Sequence, residues 1–108
     1  MSTQYMNATL ALGALLASLA MSSQAQTNDA NKLYHRGLAA TCANCHGTDG
    51  RGVVDGGMPL INTLTSDEML AQLKAFKSGA REGTLMPQLA KGYSDEQLEI
   101  IANQLGKK

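Results

Sequence analysis

Large aromatic side chains are scarce in this chain: it has no Trp, one Phe and three Tyr among 108 residues, and one of those, Tyr5, lies near the start. A domain of this size has trouble building a sufficient core from so little bulk, and a bound apolar macrocycle would make up the deficit. Charge of either sign is not in excess. Nine Lys and Arg balance nine Asp and Glu, all of them after Ala25, which excludes the basic surplus that strong nucleic-acid binding requires. Long apolar runs are missing as well. The one candidate, Ala8 to Ala20, is too short to cross about 30 Å of hydrocarbon as a helix.

That segment reads instead as the apolar centre of an export signal. Ser23 and Ala25 put small residues at the two positions a signal peptidase reads. Residues 1–25 are therefore expected to be removed, leaving 26–108 as one domain in the periplasm without a stable membrane span. The first seven residues hold no Lys or Arg, so only the terminal amine supplies the usual orienting positive charge. Retention as an N-terminal anchor is the alternative.

Cysteine is limited to Cys42 and Cys45, in the run Cys42-Ala43-Asn44-Cys45-His46. A disulfide across so short a loop constrains little unfolded chain. A thioredoxin-like dithiol needs βαβ surroundings, and no strand pattern is present. A zinc site needs four ligands, where only His35 and His46 accompany the thiols, at a spacing that fits no familiar finger. The spacing does suit addition of both thiols across the two vinyl groups of one haem, with His46 delivered to the iron as the proximal ligand. One covalent haem c and single-electron chemistry are the expectation.

Periodicity places helices around this run. Ala30, Leu33, Tyr34 and Leu38 recur at helical spacing from a cap at Asn28 or Asp29 to Thr41. Residues 47–65 contain five glycines and Pro59 and read as a loop, long enough to be unusual unless it wraps something large. Gly50, Gly52 and Gly56 match no dinucleotide fingerprint and fit tight turns. Thr65 with Glu68 forms a capping box for a helix to Ser78, stopped by Gly79; Met69, Leu70, Leu73 and Phe76 form its apolar face. Residues 80–93 read as irregular. Ser94 with Gln97 opens a last helix whose stripe is Leu98, Ile101, Ala102 and Leu105, ending at Gly106. The fold class is all-α, with three main helices.

Of the methionines after residue 25, Met86 lies in an irregular segment 40 residues past His46, far enough for the chain to pass round a macrocycle and approach its other face. Met58 is too near His46 to cross comfortably, and Met69 belongs to a helix face. Met86 is the preferred sixth ligand; Met58, His35 and an open site are the alternatives, and core filling is the ordinary role of any Met. Lys74, Lys77, Arg81 and Lys91 surround the Met86 segment, either as a solvated face or as a means of steering an acidic redox partner.

In order along the chain, Cys42 to Gly47, Thr48-Asp49-Gly50-Arg51-Gly52, Pro59-Leu60, Thr84-Leu85-Met86-Pro87 and the capped last helix resemble the class I c-type cytochromes over nearly all of residues 26–108. The resemblance implies crossed first and last helices, long loops wrapped around one covalent haem, His46 and Met86 as axial ligands, and a Pro59 carbonyl that orients His46. Two features depart from the family pattern. Tyr34 and Leu38 stand for the usual glycine and aromatic pair of the first helix, and the last helix lacks the common aromatic; both bear on the helix crossing rather than the haem site.

Phe76-Lys77-Ser78-Gly79 and Leu89-Ala90-Lys91-Gly92-Tyr93-Ser94 are similar to the cytochrome subunit of flavocytochrome c sulfide dehydrogenases. That likeness implies a flavoprotein partner that oxidises sulfide and passes electrons to the haem, so that the chain itself carries electrons and transforms no substrate. A free shuttle to a terminal oxidase or reductase is the alternative within the same chemistry. A haem protein whose open sixth site binds gas or substrate is the alternative outside it.

Overall fold

Helix starts and stops explain most of the framework. The computed structural model describes residues 26–108, and the expected export segment lies outside them. Helix α1 occupies residues 26–40 and is already helical at 26, so Asn28 and Asp29 sit inside it and cap nothing. No Pro or Gly interrupts residues 26–36, and Asp29 lies 4.0 Å from Lys32 one turn on. A second, one-turn helix, α2, spans Ala43–His46 and carries both the second thiol and the imidazole.

Helix α3, Ser66–Ser78, has the expected capping box: the Glu68 N–H donates to Thr65 Oγ1 at 3.2 Å, and the Thr65 N–H donates to Glu68 Oε2 at 2.8 Å. Gly79 ends it in the left-handed conformation (φ 82°), which a residue without Cβ adopts at no steric cost. Helix α5, Asp95–Leu105, opens on the matching box between Ser94 and Gln97. Asp95 and Glu96 complement the positive end of its dipole.

The segment read as irregular holds a further short helix. Helix α4 spans Met86–Lys91 with Pro87 in its first turn, where a missing N–H loses no intrahelical bond and a fixed φ favours helix. Pro87 thus opens a helix inside the stretch expected to be irregular. Otherwise the architecture is the expected all-α one. Among the described residues no strand forms, and the single bridge, parallel, joins Thr65 to Lys107.

Tyr34 to Lys108 form one compact unit. Its core gathers Ala39 of α1, Met69 of α3, and Ile101, Ala102 and Leu105 of α5, with Leu38, Cys42, Ile61, Leu64 and Tyr93 packed against them. Leu98 and Ile101 are the largest fully buried side chains, and each such burial stabilises by about 1.5–3 kcal/mol. The first and last helices meet as expected despite the missing aromatic: Ala39 lies with Ile101 and Ala102, and Gln97 Nε2 donates to the Tyr34 hydroxyl at 3.0 Å. Gly37 has nothing within 4 Å of where a Cβ would be, so small Ala39 takes the part of the close-contact residue. This core is modest: α3 packs on α4 and α5, and the 47–65 loop adds Ile61 and Leu64 to it while Val53, Val54, Met58 and Leu60 stay exposed.

Candidate functional site

The end of α1 delivers Cys42 to the surface of the core. Thr41 N–H and Cys42 N–H close the helix on Leu38 O and Ala39 O at 3.3 and 3.2 Å, and His46 N–H begins the next turn on Cys42 O at 3.0 Å. Both thiols are free, Cys42 half-buried and Cys45 exposed, so the disulfide reading has no support in this arrangement. Burial pushes the Cys42 thiol above its ordinary value; the Thr41 hydroxyl opposes the rise and neighbouring Cys45 adds to it. A thiol held protonated is the reverse of a thioredoxin-type nucleophile, which depends on a lowered value.

His46 is buried, at 8 % exposure, and its Nδ1 lies 2.8 Å from the Pro59 carbonyl oxygen. A carbonyl only accepts, so Nδ1 carries the hydrogen; in the neutral ring this leaves the lone pair on Nε2, the arrangement a metal-ligating imidazole needs. The loop that carries Pro59 is fastened in three further places. Gly52 N–H donates to His46 O at 2.6 Å, and Ile61 and Asn62 N–H both donate to Gly50 O, at 3.1 and 3.2 Å. Gly47 makes this closure possible: its φ is 78°, and a Cβ there would strike the Gly52 carbonyl.

Three methionines fall in three environments. Met69 is in the core, which removes it as a ligand; Met58 is exposed on the loop beside Pro59; Met86 is half-buried at the first position of α4. His35 is half-buried on α1, its ring 6.0 Å from that of Tyr34. Large apolar side chains stand uncovered on the two segments concerned: Val53, Val54, Met58 and Leu60 on the loop, Leu85 and Leu89 at α4. Free thiols at thioether spacing, an imidazole fixed through one nitrogen, and uncovered apolar side chains fit a haem.

The basic residues near α4 do not form one free patch. Lys77 Nζ donates to Tyr93 O at 2.8 Å and to Asp95 Oδ1 at 2.7 Å. Arg81 lies over the Phe76 ring, 4.6 Å from its centroid, and donates to Gln72 Oε1. Lys74 and Lys91 are exposed. Sequence reasoning missed the ties made by Lys77, Tyr93 and Thr41, since each joins residues at least 16 positions apart and none has a local signature.

Among the described residues no group of three or more His, Cys, Asp and Glu could hold a bare metal ion, and no helix is long and apolar enough to cross a membrane. Comparison with known proteins bears on the whole region. The family model described as cytochrome c matches residues 28–105. The thiosulfate dehydrogenase electron acceptor of Stutzerimonas stutzeri is 36 % identical over 94 residues, covering 83 % of this chain and 44 % of its own length. The cytochrome subunit of sulfide dehydrogenase of Chlorobaculum tepidum is 38 % identical over 69 residues, covering 64 % of this chain and 61 % of its own. Cytochrome c-553 of Helicobacter pylori is 33 % identical over 70 residues, covering 65 % and 73 %. The chain thus spans about half of the first of these and less than two thirds of the second.

Proposed function

The chain belongs to the cytochrome c family, and from that we propose a periplasmic single-electron carrier in which Cys42 and Cys45 would hold the haem as thioethers, His46 and Met86 would ligate its iron, and Pro59 would orient His46. Covalent haem c is the family's cofactor, and the chain is an electron-transfer protein rather than an enzyme in its own right. When bound, that group takes up and releases one electron at its iron. The protein's part is to hold the imidazole, exclude water and set the ligand field. The observation that carries the reading is the buried His46 with Nδ1 on Pro59 O, which fixes ring plane and tautomer before any metal arrives.

Residues 1–25 act in this reading as a cleaved export signal, consistent with a family match that begins at residue 28. For the donor, the names of the two dehydrogenase-linked relatives support a sulfide or thiosulfate dehydrogenase, and the resemblance of residues 76–79 and 89–94 to flavocytochrome c subunits makes a flavoprotein sulfide dehydrogenase the preferred one. Exposed Lys74 and Lys91 offer positive charge to such a partner. A second reading, a free shuttle, is favoured by the fuller coverage of cytochrome c-553. Co-purification at low concentration with a flavoprotein separates the two.

The test of ligation is Met86→Ala in the haem-loaded protein. The ferric variant should lose the sulfur-to-iron absorption and its reduction potential should fall, because a thioether ligand favours the ferrous state. An unchanged spectrum and potential would sink Met86 as a ligand and leave an open or differently filled sixth site. Mass spectrometry of the same native material reports one covalent haem and the loss of residues 1–25.

A further inference from the structure

Tyr93 joins parts of the molecule that the sequence keeps far apart. Its hydroxyl lies 2.7 Å from Thr41 Oγ1, and Thr41 Oγ1 in turn donates to the Leu38 carbonyl at 2.7 Å. A threonine hydroxyl has one hydrogen; with that hydrogen on Leu38 O, the bond between the two side chains is donated by the phenol. The Tyr93 carbonyl accepts Lys77 Nζ from α3, and the Tyr93 N–H donates to the carbonyl of Ala90, the buried residue of α4, at 3.3 Å. The residue two positions past α4 is therefore fastened to the residue just before Cys42. The haem chemistry described above uses none of these bonds.

Helix α4 has six residues. So short a helix has almost no stability of its own, and its place is decided by packing and by what holds its ends. We propose that Tyr93 is a positioning residue for the sixth ligand: by donating to Thr41 it locks the C-terminal end of α4 to the haem-attachment turn, and so sets where Met86, at the other end of the same helix, meets the iron. The proposal rests on Met86 being that ligand. Supporting groups of this kind act by narrowing the positions a ligand samples. Loosening the far end of α4 makes the sulfur easier to displace without changing its chemistry.

The experiment uses the haem-loaded full chain, with imidazole as a competing ligand for ferric iron. Tyr93→Phe keeps the ring and removes only the donor, Thr41→Val removes the acceptor, and Thr41→Ser keeps it. Apparent imidazole affinity should rise about fivefold in Tyr93→Phe and in Thr41→Val, the equivalent of about 1 kcal/mol. It should return toward the wild-type value in Thr41→Ser. The double variant should exceed neither single one, since both remove the same bond. A general loss of packing would give additive effects and no rescue by serine, and that result overturns the proposal. Should Tyr93→Phe fail to fold, the valine and serine pair at Thr41 decides the matter alone. A wild-type ferric protein without the sulfur-to-iron absorption overturns the Met86 reading and this one with it; a protein with the absorption but unaltered imidazole affinity in the variants overturns this one only.

Discussion

The His46 side of the site and the Met86 side are built in opposite ways. Around His46 every fastening is local: Cys42, Cys45, His46, Gly47, Gly50, Gly52, Pro59 and Ile61 lie within 20 residues and bond mostly to one another. Around Met86 the helix is short and its ties reach Thr41, Lys77 and Asp95, 16 or more residues from their partners. Short closures cost little chain entropy and form early, whereas distant ones hold only once the whole unit has folded. The imidazole side is therefore rigid on its own terms, and the methionine side is as firm as the framework behind it. This division suits the proposed electron carrier, in which an imidazole already fixed in place would leave little to reorganise on electron transfer.

The most damaging change to the local side is Gly47→Ala. At φ 78° and ψ 167° the backbone lies in a region open in practice to glycine alone, and the added Cβ would meet the Gly52 carbonyl. Strain and clash together should cost about 3 kcal/mol. The visible result should be a sharp fall in recovered haem-loaded protein and a lower denaturant midpoint for what is recovered. Recovery and midpoint equal to wild type would mean that the 47–52 closure contributes nothing to holding His46.

The same contrast governs what could be read before folding. The Cys42 to His46 run, both capping boxes, the Gly79 stop and the α5 stripe were legible because each is a pattern within one or two turns of chain. Pro59 as the partner of His46 came from resemblance, since nothing in its own neighbourhood marks a carbonyl as an acceptor 13 residues away. Helix α4 was missed because its six residues, with Pro87 in the first turn and Gly83 and Gly92 on either side, are too few to show a helical period. The roles of Lys77 and Tyr93 could not be seen at all: a lysine on an apparently solvated face and a tyrosine before a capping box become ties only when α3 and α5 are brought together.

Lys77→Met probes the long-range side with a smaller effect. The substitution keeps the aliphatic stem and removes the bonds to Tyr93 O and Asp95. The Lys77 side chain is 30 % exposed and that of Asp95 is 61 % exposed, so water screens much of the pair. A loss of about 1 kcal/mol is expected, largely from the carbonyl bond, with only the ion-pair share shrinking in high salt. Denaturation of the ferric protein at two ionic strengths measures both parts. If the sulfur-to-iron absorption weakens while His46 ligation stays intact, the two sides are as unequal as described; equal loss on both would make them a single cooperative unit.

Acid should produce the gentlest separation of the two sides. The Thr65 N–H, and then its hydroxyl, hold the Glu68 carboxyl below its ordinary value of 4.5. The Lys77 hydrogen bond and charge hold Asp95 below 3.8, and hydrogen bonds at the start of α5 lower Glu96 from 4.5. A carboxyl lowered by folding contributes stability that is fully present above its ordinary value and is lost as pH falls through the lowered one. All three groups are exposed, so each effect is small, and all three lie at the starts of α3 and α5, whereas α2 has no acidic residue in its first turn. As the pH drops from above 4.5 to below 3.8, α3 and α5 should loosen first and Lys77 should lose Asp95 while His46 keeps Pro59. The sulfur-to-iron absorption should therefore begin to fade before the protein unfolds. Loss of that absorption only together with global unfolding would show that the helix starts do not govern the methionine side.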